Sequence, residues 1–248
     1  MSMPPSAPPR AAPDRPAVDG DLAGSRVVLA NATSGVGPAV AEALAGAGAR
    51  VVTDRPGLPD LPSLAHDGGA EAFLSGCEAQ LGGLDVLVIS APPVANKPVL
   101  EMTADEMRSI TEAELVQPAL LMQAAARRMC ARGYGRIIVF ASMSAKTGVH
   151  HNVAPYAAAK GGLLAFMRVL AAETAEHGVT VNAIATALFE PQVATMTEEK
   201  RTRLRGGIPV GRFGRSSEAA HAVLYLAAPE AGFVTGECMN LSGGRFMD

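Results

Sequence analysis

The sequence has few basic residues, few cysteines and no long apolar run, and each shortage excludes a class of protein. Lys and Arg number 21 against 24 Asp and Glu, a net charge of −3 that argues against a nucleic-acid-binding domain. The three scattered cysteines suit neither a disulfide framework nor a zinc site. No apolar run reaches the roughly 18 residues that span a bilayer, and the first residues carry no secretion signal. We therefore expect a cytoplasmic protein that has no metal site and binds neither nucleic acid nor membrane.

The chain does have enough apolar residues for one large core. Of its 248 residues, 48% are hydrophobic and 18% are charged, which excludes global disorder and suits a single domain. Residues 1–20 hold six of the 18 prolines and predict a disordered, extended tail. The folded domain is therefore expected over residues 21–248.

Short apolar strands alternate with helices along this domain. Strands are predicted at residues 26–31, 51–54, 85–90, 136–141, 179–184 and 237–241, and helices at 38–47, 70–81, 104–131, 155–177, 198–204 and 217–228. Such alternation is typical of βαβ units, and right-handed crossovers place helices on both faces of the sheet. The predicted fold class is therefore α/β, with a doubly wound, mostly parallel sheet of the Rossmann type. Pro118 is expected to kink the long third helix.

A glycine-containing corner, Asn31-Ala-Thr-Ser-Gly-Val-Gly37, joins the first strand to its helix. Glycines let the backbone approach a pyrophosphate, and the helix N-terminus offers N–H groups and a positive dipole end. We therefore predict a dinucleotide site that includes Asn31, Ser34, Gly35, Val36 and Gly37. The alternative is a tight structural corner, which needs glycine in any case.

Asp54 ends the second predicted strand, where an acidic residue binds ribose hydroxyls and repels a 2′-phosphate. This position favours NAD as the cofactor. The next residue, Arg55, could hold that phosphate instead, so NADP stays possible. A surface turn is the alternative role for Asp54.

Tyr156 and Lys160 lie four residues apart on one predicted helix, so their side chains share a face. A phenol has a pKa of about 10 and is a poor base at neutral pH, but a nearby cation favours the phenolate. Ser142 ends the preceding strand at the carboxyl edge of the sheet, where α/β folds bind ligands. These three residues are the candidate catalytic set, and Ser144 competes with Ser142 for its role.

In combination, these motifs resemble the short-chain dehydrogenase/reductase family over nearly the whole chain. The matching segments follow the family's order: Gly35-Val-Gly37, Asp85-Val-Leu-Val88, Gly135–Ser142, Tyr156–Gly162, Val181–Ile184 and Gly243-Gly244. The resemblance implies hydride transfer between NAD(P)(H) and an alcohol/carbonyl pair on a small-molecule substrate. It also implies a homo-oligomer, a tetramer, that pairs the two long helices.

The resemblance implies a role for each site residue. Tyr156 would be the catalytic acid/base, and Ser142 would hydrogen-bond the substrate oxygen. Lys160 would bind the nicotinamide ribose and lower the pKa of Tyr156. Ser90 and Ala91, which follow the third strand, would join the cofactor site. Three further residues would line the substrate pocket, namely Met143, His150 and Phe189, although a solvated loop is the commoner setting for the pair His150-His151.

The departures from the family pattern include four positions that touch the cofactor site or the proton relay. Asn31 replaces a glycine, although asparagine tolerates a left-handed backbone better than most residues and the turn is expected to survive. Glu114 stands where the family has the asparagine of a proton relay. Pro92 and Pro191 replace cofactor-contacting residues.

Two rival functions stay open. Halohydrin dehalogenases, a branch of the same fold, also shorten the segment between residues 54 and 85 and carry a proline like Pro118. They use Ser and Tyr without nicotinamide. Because they typically replace the lysine and degrade the glycine loop, the retained Lys160, Gly35 and Gly37 favour a dehydrogenase. A cofactor-independent dehalogenase or epoxide-type enzyme is one alternative, and a non-catalytic binding protein is the other.

Overall fold

A computed structural model describes residues 22–54, 68–91, 96–147 and 150–248, in which six strands form one parallel sheet. The predicted tail over residues 1–20, together with Arg55 and Pro92, lies outside these ranges. The strands are β1 Arg26–Ala30, β2 Arg50–Thr53, β3 Val86–Ile89, β4 Gly135–Ser142, β5 Val179–Thr186 and β6 Cys238–Leu241. Their spatial order is β2-β1-β3-β4-β5-β6, and all five neighbouring pairs run parallel. The predicted fold class is confirmed.

Helices connect these strands close to the predicted positions. They are α1 Gly37–Gly46, α2 Gly69–Leu81, α3 Ala104–Thr111, α4 Gln117–Arg132, α5 Ser144–Thr147, α6 Ala154–Thr174, α7 Glu190–Val193, α8 Glu198–Arg205 and α9 Ser216–Ala227. Thr103 and Glu106 form the capping box that begins α3. Within the described ranges, no helix is both long and apolar enough to cross a bilayer.

The sheet separates two layers of helix, because successive strand residues face opposite sides. Val28 and Leu87 face the layer formed by α2, α4 and α6. Val27 and Val88 face the layer formed by α1 and α9. Helices on both faces make this a doubly wound fold. Its strand order reverses between β1 and β3, and such folds bind ligands at the carboxyl ends of the strands there.

The long helix predicted over residues 104–131 is interrupted by a π-turn over Glu112–Val116. The turn ends two residues before Pro118, whose nitrogen carries no hydrogen and cannot donate the helical bond to residue 114. A π-turn adds one residue to the local helical turn, and such turns are frequent at functional sites. This one packs against α6 and places Glu114 in the interior.

Candidate active site

The corner after β1, where the sequence predicts a dinucleotide loop, contains two left-handed residues. Asn31 adopts the left-handed conformation with φ of 57°, so the turn survives the loss of glycine as expected. Gly35 is also left-handed, with φ of 59°. A Cβ on Gly37 would lie 2.5 Å from the carbonyl oxygen of Ala32, so only glycine lets α1 pack this closely on the corner. Ser34 accepts a hydrogen bond from the Gly37 N–H at 3.1 Å through its carbonyl oxygen.

Asp54 holds this corner in place. One of its carboxylate oxygens accepts a hydrogen bond from the Asn31 N–H at 2.7 Å, and the other accepts from the Ala32 N–H at 2.9 Å. The Asn31 side chain in turn donates to the carbonyl oxygen of Ser90 at 3.1 Å, which ties the end of β1 to the end of β3. Asp54 is therefore a structural anchor of the candidate cofactor loop and not a surface turn residue. Ala91 follows Ser90 and is half-buried.

The candidate catalytic residues lie together at the carboxyl end of β4. Ser142 is the last residue of this strand, and its side chain lies close enough to Tyr156, in the first turn of α6, to lower the pKa of that phenol. The Lys160 ammonium lies 5.9 Å from the centroid of the Tyr156 ring. The Ser144 N–H donates to the Ser142 hydroxyl at 3.1 Å, whereas the Ser144 hydroxyl lies 3.2 Å from His150 Nδ1. Ser142, rather than Ser144, is therefore the serine next to the phenol.

Lys160 is buried and held by two oxygen atoms. Its ammonium donates to the carbonyl oxygen of Phe140 at 3.1 Å and lies 3.0 Å from Glu114 Oε2. Burial lowers the pKa of Lys160, and the Glu114 carboxylate opposes that shift. Sequence reasoning noted Glu114 only as a departure from the family pattern. It did not predict that this carboxylate would contact the candidate catalytic lysine.

Tyr156 is held in its neutral form. Burial and the Glu114 carboxylate raise its pKa to about 12, and only the neighbouring Ser142 side chain opposes this shift. Lys160 is not among the groups that shift the Tyr156 pKa here, so the lowering that the family resemblance implies stays a prediction. At neutral pH the phenol is protonated and can act as an acid.

The predicted substrate residues fall in two places. Met143 is buried directly after Ser142. His150 is partly buried, and its Nδ1 also lies 3.2 Å from the Thr147 hydroxyl. Burial, Arg245 and His151 lower the pKa of His150. His150 is therefore packed against Ser144 and Thr147, whereas His151 is exposed as a solvated loop residue would be.

Phe189 lies in a different setting. It is buried, and a Cβ on Gly214 would come within 2.7 Å of its ring. Phe189 lines a largely apolar cavity of about 180 Å³ whose lining also includes Ile208 and Ser242. Met143 and His150 are not among the lining residues, so the three predicted substrate residues do not share this cavity. Pro191 lies in the first turn of α7, next to Phe189.

Comparisons with known proteins agree with this architecture. A family model described as Enoyl-(Acyl carrier protein) reductase matches residues 63–245. A 3-oxoacyl-(acyl-carrier-protein) reductase of Vibrio cholerae is 33% identical, with 92% of this chain and 99% of that protein covered. An acetoacetyl-CoA reductase of Shinella zoogloeoides is 35% identical, with coverages of 90% and 99%.

A solved structure has the same fold. A short-chain type dehydrogenase/reductase from Mycobacterium marinum superposes with a TM-score of 0.84 at 27% identity, covering 93% of this chain and 98% of that chain. The named relatives are reductases and support an oxidoreductase. The chain belongs to the short-chain dehydrogenase/reductase family.

Proposed function

We propose that this protein interconverts an alcohol and a carbonyl by hydride transfer with NAD(P)(H), using Ser142, Tyr156 and Lys160. The observation that carries the proposal is the position of Ser142 beside Tyr156 at the carboxyl edge of the sheet. A hydroxyl pair at this edge is well placed to hold and protonate a substrate oxygen. The reductase names of the relatives support the same reaction class.

The residues of the corner fit a dinucleotide. A Cβ added at Gly35 would meet nothing within 4 Å, so the loop backbone is open to a ligand. The first turn of α1 contains no acidic residue, and no side chain caps its N–H groups. These N–H groups and the positive end of the helix dipole suit a pyrophosphate. Val36 and Gly37 would contact it, while Asp54, Ser90 and Ala91 would face its adenosine and nicotinamide halves.

Each catalytic residue has a distinct task in the reductive direction. When bound, the nicotinamide supplies the hydride to the carbonyl carbon. Ser142 holds the carbonyl oxygen by a hydrogen bond, and Tyr156 donates its phenolic proton to that oxygen. Lys160 has three N–H groups, of which one donates to Phe140 and one faces Glu114. The third is left for a ribose hydroxyl.

Asp54 favours NAD over NADP. Its carboxylate would meet a 2′-phosphate with like charge, which disfavours the phosphorylated cofactor. The substrate is a small carbonyl compound. The names of two relatives place 3-oxoacyl thioesters first in the panel to be tested.

A nucleotide titration tests the proposed function directly. Purified protein should shift or quench NADH fluorescence, and it should consume NADH when a 3-oxoacyl thioester is added. Absence of binding to both NADH and NADPH would overturn the proposal. Halide release from a vicinal halo-alcohol would then identify a dehalogenase, and the lack of both activities would indicate a binding protein.

A further inference from the structure

Arg245 is a partly buried cation for which the described residues offer no partner. It lies in the turn over residues 242–246 that follows β6, and its guanidinium makes no hydrogen bond or ion pair with them. Two carboxylates of the surrounding segments are already engaged: Asp248 pairs with Lys146, and Glu198 of α8 pairs with two arginines of its own helix. Because a charge that leaves water is usually paired, Arg245 is a candidate binding group for an anion.

The turn that carries Arg245 is fixed on both sides. The Arg245 N–H donates to the carbonyl oxygen of Ser242 at 3.2 Å, and the Ser242 hydroxyl donates to the carbonyl oxygen of Phe246 at 3.1 Å. The Phe246 ring lies 5.2 Å from the Lys146 ammonium of α5, which pairs with Asp248 at 2.5 Å. A cation held in this way binds an anion at a lower cost in ordering than a mobile surface arginine.

The turn begins at the edge of the sheet that holds the candidate catalytic residues. Ser142, Thr186 and Leu241 lie side by side on β4, β5 and β6. Neighbouring strands are about 4.8 Å apart, so the sheet places Leu241 about 10 Å from Ser142. Arg245 follows four residues later, and a Cβ on Gly207 would lie 4.0 Å from its guanidinium carbon. The guanidinium therefore packs against the end of α8, at the rim of the candidate active site.

The charge of Arg245 also reaches the loop beside Ser142. Burial lowers the pKa of His150, and the positive charges of Arg245 and His151 lower it further. His150 Nδ1 lies 3.2 Å from the Ser144 hydroxyl, and the Ser144 N–H donates to the Ser142 hydroxyl at 3.1 Å. His150 is therefore neutral at neutral pH, whereas Arg245 carries a permanent charge on this side of the site.

We propose that Arg245 binds a carboxylate of the substrate, so that the protein reduces oxo acids whose carboxylate lies several carbons from the carbonyl. The planar guanidinium matches a carboxylate through two parallel hydrogen bonds. A separation of about 10 Å between the strand ends leaves room for those carbons. The inference rests on the proposed function, which places the reacting carbonyl at Ser142 and Tyr156.

Steady-state reduction of 5-oxohexanoate and of its methyl ester by NADH tests this assignment. The two compounds have the same carbonyl, but only the acid carries a charge. Arg245→Met should lower kcat/KM for the acid by about tenfold to a hundredfold and leave kcat/KM for the ester unchanged. Arg245→Lys keeps the charge without the planar fork, so it should recover part of the loss.

Arg203→Met is the matched control, because Arg203 is exposed on α8 and the variant loses the same charge at another place. It should reduce both compounds at the parental rate. Equal losses for acid and ester in Arg245→Met, or no loss for either, would overturn the inference. A loss of NADH affinity in Arg245→Met would also overturn it, since Arg245 would then serve the cofactor.

Binding of an unreactive carboxylate tests the inference without turnover. In calorimetric titrations with and without NADH, the parent protein should bind hexanoate more tightly than the neutral hexanamide. Arg245→Met should bind the two compounds alike, and circular dichroism checks that it is folded. The lack of any preference for hexanoate in the parent would overturn the inference. An Arg245-dependent preference in a protein that reduces no carbonyl would retain the carboxylate site and refute the proposed function, so the two failures are distinct.

Discussion

The carboxylate of Asp54 accepts a hydrogen bond of 2.7 Å from the backbone N–H of Asn31, which joins the end of β2 to the corner after β1. Because of this contact, one residue affects both the choice of cofactor and the conformation of the candidate cofactor loop after β1. The same side chain that is expected to meet the ribose also fixes the left-handed turn at Asn31. Substitutions at this position should therefore alter both stability and binding.

Asp54→Ala should destabilise the protein by about 1–3 kcal/mol, because the N–H groups of Asn31 and Ala32 lose their acceptors in a largely buried corner. Asp54→Asn keeps one acceptor oxygen and should be milder. Urea unfolding followed by circular dichroism gives the change in the free energy of unfolding for each variant. If Asp54→Ala unfolds at the parental urea concentration, the two hydrogen bonds do not hold the corner.

NADH should bind more tightly than NADPH, because the Asp54 carboxylate repels a 2′-phosphate. Asp54→Asn removes the charge and keeps the shape of the side chain, so it should reduce the difference in affinity between NADH and NADPH. Fluorescence titrations with each nucleotide measure the two affinities. Equal or tighter binding of NADPH by the parent would show that Arg55 dominates, and Arg55→Ala should then reverse that order.

Much of this corner could be predicted from the sequence, but its anchoring could not. Apolar runs and turn residues located the strands to within about two residues, and the glycine spacing located the loop. The Asp54 hydrogen bonds depend on the register that brings the end of β2 beside β1. Sequence spacing carries no information on that register.

The burial of Glu114 beside Lys160 is a second feature that could not be predicted from the sequence. Its local sequence is compatible with a regular helix, and only Pro118 indicated that the helix would be disturbed. Whether Glu114 faces solvent or Lys160 depends on the extra residue in the π-turn and on how that turn packs against α6. The sequence indicated that Lys160 and Tyr156 share one face of a helix, but it gave no sign of the charge partner of Lys160 in the π-turn.

Tyr156→Phe should lower the rate of carbonyl reduction by a hundredfold to ten-thousandfold while leaving nucleotide binding nearly intact. Phenylalanine keeps the ring and removes the proton donor. Steady-state reduction and a parallel NADH titration separate the two effects. Ser144→Ala is the control, since the Ser144 hydroxyl contacts His150. Near-parental reduction by Tyr156→Phe would exclude the phenol as the acid.

Lys160→Met should weaken both NADH binding and the rate, and it should also destabilise the fold. It leaves the Glu114 carboxylate buried without its partner, which typically costs about 3–5 kcal/mol. Glu114→Gln/Lys160→Met should recover much of that stability but not the NADH affinity. Urea unfolding and fluorescence titration measure the two properties, with the exposed Lys200→Met as control. If Lys160→Met were as stable as the parent protein, then Lys160 and Glu114 would not be desolvated in the folded state.

The protein should assemble as a homotetramer, and the face formed by the π-turn, α4 and α6 should be one of its two-fold interfaces. Val116, Leu120 and Val169 on these elements are exposed apolar side chains, and burying them against a second copy is favourable. The same patch on both copies gives a two-fold interface, the commonest kind in homo-oligomers. Light scattering at micromolar concentration should give four times the mass of the chain. Leu120→Glu should reduce that mass, whereas Lys200→Glu on the charged helix α8 should not. A monomeric parent protein would rule out this assembly. An unchanged mass in Leu120→Glu would indicate that the interface lies on another face.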